Sequence, residues 1–113
     1  EGGEHGMDAL LGRPNPPTAV FAMSDEMAFG AIRSLRNHGL EPGRDVSIIG
    51  IDNHPMSSYM GLTTVSQPVT ELGVKAGELL LRQMQGPIAP ISADRLTELP
   101  TELIVRTSTG PKA

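Results

Sequence analysis

Two short apolar runs, TAVFAM (Thr18–Met23) and VSIIGI (Val46–Ile51), flank a stretch whose apolar residues recur at helical spacing. That order restricts the fold more than any other feature of the chain. The runs are β-branched and too short for helices, so they read as buried strands. Between them Met27, Ala28, Ala31, Ile32 and Leu35 form one stripe of a helix. Ser24 is placed to cap it, and Asp25 and Glu26 put negative charge in its first turn, where the helix dipole favours it. Gly39 sits where a C′ glycine ends a helix. Strand, helix, strand is a βαβ unit, which implies an α/β fold with a mainly parallel sheet. A strand as apolar as Val46–Ile51 is expected to be covered on both faces.

The rest of the chain fits the same class. Met7 to Leu11 read as the end of a helix closed by Gly12, and RPNPPT is a loop. EPGRD is a turn. A loop from Asn53 to Gly61 leads to a short strand, LTTVSQ, and Pro68 marks a boundary. A further helix carries the stripe Leu72, Ala76, Leu79, Leu80 and Met84 and ends at Gly86. PIAPIS is loop. RLTELPTELIVRTST reads as two short strands broken at Pro100. The chain lacks an initiator Met and opens inside what reads as a helix, so it is expected to be part of a longer protein.

In parallel sheets ligands sit beyond the carboxyl ends of the strands. Ser24 and Asp25 follow the first strand, Asp52 and Asn53 the second, and Gln67 the third. Asp accepts hydrogen bonds, while Asn, Gln and Ser both donate and accept, a set suited to a hydroxyl-rich or amide-bearing solute. Each has a plainer reading. Asp52 and Asn53 could form an Asx-turn, Ser24 could serve only as a cap, and Gln67 could be a solvated strand end.

Several functions are argued against. The net charge of -4 and the pI of about 5.2 leave no clustered Lys and Arg for phosphate contacts. Arg33 and Arg36 read as a solvated helix face. With no cysteine there is no disulfide, zinc thiolate or thiol nucleophile. His5, His38 and His54 lack ligand spacing, so no metal is expected. No G-x-S-x-G, G-x-G-x-x-G or P-loop occurs. The adjacent acids of SDE are better explained by capping than by catalysis. No apolar run is long enough for a membrane. The six methionines read as filler of core or interface.

Three stretches together, PPTAVFAMSDEMAFGAIRSLRNHGLEPGRDVSIIGIDN, LTTVSQPVTELGVKAGELLL and LPTELIVRTST, resemble the C-terminal portion of the LacI/GalR family of bacterial transcription regulators. The resemblance covers nearly all of the chain. It implies a periplasmic-binding-protein-like effector domain of two α/β subdomains joined by three crossovers. Residues 1–67 and 101–113 would belong to the C-terminal subdomain, and 68–100 to the N-terminal one. The helix-turn-helix headpiece lies outside this chain. The resemblance implies a cytoplasmic regulator, not an enzyme, with no cofactor. It would bind a small sugar-like or nucleoside-like effector and reach DNA only through that headpiece. Asp52 matches the family position at the end of the G-[FY]-D-[DN] strand, which commonly bonds effector hydroxyls or ring nitrogens. Asn53 is an allowed variant beside it. Ser24 stands where many members have Asn, Asp25 looks like the helix-start residue, Gln67 matches a crossover position lining the cleft, and Pro100 matches the third crossover. Phe29, read as lying off the core stripe, and Met56 and Tyr59, in the loop after Asp52-Asn53, match the region of the dimer contact and imply a homodimer. The alternative is a fragment of a periplasmic sugar-binding protein of a transporter, which shares the fold.

Overall fold

The computed structural model describes residues 1–86 and 96–112. In order they form α1 (Gly2–Leu11), β1 (Ala19–Phe21), α2 (Asp25–Asn37), β2 (Ser47–Ile51), β3 (Thr63–Ser66), α3 (Val69–Gln85) and β4 (Glu102–Ile104), with a single 3₁₀ turn at Pro55–Ser57. The strands make one sheet in the order β1-β2-β3-β4. β1 and β3 flank β2 in parallel, and β4 runs antiparallel to β3. The parallel α/β expectation holds, with one reversed strand at the far edge.

The chain divides into two compact units, residues 1–66 with 102–113 and residues 67–101. The first has the core. Ala28, Ala31, Ile32 and Leu35 of α2 are buried with Met7, Ala22, Val46, Ile48 and Leu62. α1 approaches α2 closely enough that a Cβ at Gly3 would strike the Met27 backbone, and one at Gly30 the backbone of Gly3 and Glu4. Only glycine permits that crossing. Ser34 Oγ donates to Asp8 Oδ1 at 2.5 Å and ties the two helices together. The chain after β4 returns to the sheet, where buried Ser108 accepts from Thr63 N–H at 2.8 Å and donates to the Ile48 carbonyl at 2.6 Å. The second unit contributes α3, none of whose residues is buried.

Several expectations need correction. TAVFAM is not a buried strand. β1 lies at the sheet edge, and Phe21 is 53% and Met23 72% exposed. β2 alternates buried with half-buried residues and is not covered evenly on both faces. Met27 is exposed and leaves the α2 stripe, because it turns toward the open side of β1. Phe29, expected off the core, packs against it and meets the His54 ring edge-on at 5.7 Å. The second of the two expected C-terminal strands forms as β4, but residues 96–101 form none. The loop read at PIAPIS lies outside the described residues.

Candidate functional site

Because β1, β2 and β3 are parallel, their carboxyl ends share one edge of the sheet. Ser24 lies three residues beyond β1, Asp52 and Asn53 directly follow β2, and Gln67 directly follows β3. Asp52 and Gln67 are exposed, and Ser24 and Asn53 are partly buried.

Asp52 has φ of 121° and Asn53 φ of 51°. Both lie in the left-handed half, which L residues other than Asn and Asp rarely enter. Each such residue costs on the order of 1–3 kcal/mol and persists only where its surroundings over-determine it. The surroundings here are specific. Asn53 N–H donates to Thr64 Oγ1 at 3.2 Å, and His54 N–H to Asp25 Oδ2 at 2.8 Å. Ser57 Oγ donates to the same oxygen at 2.5 Å, and Thr64 Oγ1 to Asp25 Oδ1 at 2.6 Å. Asp25 is fully buried. The space for it comes from β2, since a Cβ at Gly50 would collide with Asp25 Oδ1. Among the described residues no buried side-chain nitrogen or oxygen lacks a partner.

From beyond β4, Arg106 Nη2 donates to Asn53 Oδ1 at 3.0 Å and Nη1 to the Leu62 carbonyl at 2.8 Å. The Asn53 carboxamide oxygen thus has a structural partner within the fold. Ser24 Oγ accepts from Met27 N–H at 3.2 Å, so it caps α2 as the plainer reading had it. Asp25 departs from expectation. Its carboxyl group is not a surface charge on the helix dipole but the buried anchor of the loop after β2. Sequence reasoning missed Arg106 at this edge and read Asp25 only as a helix-start residue. Their hydroxyl and amide partners lie far along the chain, and no local pattern marks them.

Of the residues assigned to a dimer contact, Met56 is 47% and Tyr59 83% exposed, and both follow the same loop. Among the described residues no group of three or more His, Asp or Glu could hold a metal ion, and no helix is long and apolar enough to cross a membrane.

The sequence model described as "Periplasmic binding protein-like domain" matches residues 2–109. The chain belongs to this family. Within it, the chain is 46% identical over 111 residues to the HTH-type transcriptional repressor CytR of Escherichia coli strain K12, covering 96% of this chain and 32% of that protein. It is 43% identical over 112 residues to the HTH-type transcriptional regulator MalR of Streptomyces coelicolor, covering 97% and 31%. The chain spans about a third of the length of these curated relatives. Among solved structures, a LacI family transcriptional regulator from Enterococcus faecalis with bound ribose superposes with a TM-score of 0.86 at 38% identity, over 99% of this chain and 41% of that one. The lac repressor dimer bound to operator and the anti-inducer ONPF gives 0.83 at 32% identity, over 96% and 37%. The family members it matches are repressors of the LacI type, not enzymes, and the resemblance read from the sequence stands.

Proposed function

We propose that this chain is the effector-sensing and dimerising part of a cytoplasmic LacI-type regulator that takes a small sugar-like or nucleoside-like ligand. The observation that carries the reading is Asp52. Asp52, an exposed residue, sits at the carboxyl end of the middle parallel strand, on a backbone with φ of 121° that the fold holds in place. A carboxyl group there accepts from two adjacent hydroxyls or from a ring N–H. Ser24 and Asn53 would supply further polar groups along the same edge. The family likeness and the relative with bound ribose support a hydroxyl-rich ligand. Residues 68–100 would belong to the N-terminal subdomain. Ligand would favour one arrangement of the two subdomains because it binds that one better. DNA would be met through an N-terminal domain outside this chain.

In the intact regulator, Asp52→Ala is expected to abolish the response of operator binding to effector while leaving operator binding itself in place. Fluorescence anisotropy of labelled operator, with and without effector, reads both. An unchanged response removes Asp52 from the site.

Phe29, Met56 and Tyr59 would contribute to an isologous dimer contact. Light scattering of the 113-residue chain is expected to return a dimer mass. A monodisperse monomer contradicts it.

A further inference from the structure

We propose that Asp25 is the positioning residue of this site, holding the backbone on which Asp52 presents its carboxyl group. The inference rests on the reading of Asp52 as a ligand contact. Its starting point is a conflict: two successive L residues stand at positive φ, with no glycine to relieve them. The two peptide N–H groups that follow Asp52 are the ones that must be held, and Asp25 takes one directly and the other through Thr64. His54 N–H reaches Oδ2 directly. Asn53 N–H reaches Thr64 Oγ1, whose own hydroxyl hydrogen goes to Oδ1. Ser57 then fixes the far side of the turn on Oδ2.

Capping does not account for this arrangement. Ser24 already accepts from the first turn of α2, and the Asp25 carboxyl group turns away from its own helix toward the loop. Its complete burial removes water as a competitor, which strengthens each bond and makes the loss of any one costly. Gly50 keeps that space open. Arg106 braces Asn53 through its side chain. Asp52 itself stays exposed. The arrangement is that of a rigid second layer behind a presented group, where a small displacement weakens binding without any lost ligand contact.

The test uses the intact protein with Asp25→Asn, Thr64→Val and Thr64→Ser, and Asp52→Ala as the separate check on the ligand reading. Asparagine keeps the shape of Asp25 but turns an acceptor into a donor facing donors. Hydrogen exchange is expected to speed up at the Asn53 and His54 amides by about tenfold or more, while Ile48 in β2 keeps its protection. Unchanged exchange at 53 and 54, or equal acceleration throughout β2, overturns the inference. Calorimetric titration with D-ribose and adenosine gives the second readout. Thr64→Val should weaken whichever probe binds by roughly tenfold, and Thr64→Ser should restore it, because the hydroxyl matters and the methyl does not. A packing role predicts the reverse order, since Val matches the shape of Thr better than Ser does, and that order overturns the inference. If Asp52→Ala leaves probe binding intact, the ligand reading fails and the positioning of a ligand group fails with it. If Asp52→Ala abolishes binding while Thr64→Val does not weaken it, only the positioning role of Asp25 is lost. Should Asp25→Asn fail to fold, the two Thr64 variants still decide the matter.

Discussion

Helices α2 and α3 are written in the same pattern and have opposite surroundings. α2 carries apolar residues at helical spacing and buries Ala28, Ala31, Ile32 and Leu35 completely or nearly so. α3 carries Leu72, Ala76, Leu79, Leu80 and Met84 at the same spacing and buries nothing, with Leu80 at 60% and Met84 at 74% exposed. An amphipathic stripe records that a helix needs a neighbour, and says nothing about which one. α2 has its neighbours in α1, β2 and the chain around Leu62. A contiguous exposed apolar face of the α3 kind marks a surface made to be covered. The two regions therefore differ in what holds them, although their sequences read alike.

Single truncations should expose that difference, and this is the largest effect expected. Leu35→Ala, at a residue with no exposed surface, should cost about 2–5 kcal/mol in urea unfolding of this chain, the range for emptying a packed leucine site. Leu80→Ala should cost less than about 0.5 kcal/mol, as substitutions at exposed positions do. A comparable loss at Leu80 would break the contrast, because it would mean that the α3 stripe is covered in solution by another copy of the chain.

What the sequence made legible follows the range of the interaction. Helix starts and stops are local, so Ser24 as cap and Gly39 at positive φ after α2 were readable within a few residues. The order of strands and helix gave the parallel sheet. Edge position is not local, so β1 looked buried and is half open. The candidate site divides the same way. Asp52, Asn53, Ser24 and Gln67 were proposed because strand ends in a parallel sheet share an edge, and family likeness singled out Asp52 among them. Asp25 was misread, because its partners lie 29, 32 and 39 residues further along the chain. Arg106 meets Asn53 across 53 residues. No spacing rule reaches that far. Nothing in the apolar run around Gly50 marks it out, and only the neighbouring strand and helix reveal that a side chain there would displace a buried carboxyl group.

The same contrast holds in miniature for the ion pairs of the two regions, and there the expected effects are smallest. Lys75 and Glu78 of α3 stand 3.6 Å apart, both side chains about half exposed. In the packed unit Arg44 Nη2 lies 2.7 Å from Asp45 Oδ2, and Glu41 N–H donates to the same oxygen at 2.7 Å, so the carboxyl group is held by the turn as well as by its cation. The hydrogen bond from Arg44, then that from the Glu41 amide, hold the Asp45 carboxyl group below the usual aspartate range. A carboxyl group whose folded value is lowered adds stability that is fully present above its unfolded value, near 3.9. That stability is lost as the pH falls toward and through the folded value. Asp45→Asn should therefore lower the melting temperature slightly at pH 6, and the gap should close as the pH falls through the lowered folded value, where both lack the charge. The pair is solvent-exposed and screened, so added salt should shrink the difference at pH 6. Melting curves from pH 2 to 7 at two salt concentrations measure it. A gap of unchanged size over the whole pH range and at both salt concentrations would show that Asp45 acts through the geometry of the turn alone and that its charge contributes nothing. The packed unit would then hold its surface as it holds its core, by backbone placement, and the ion pairs of the two regions would no longer differ in kind.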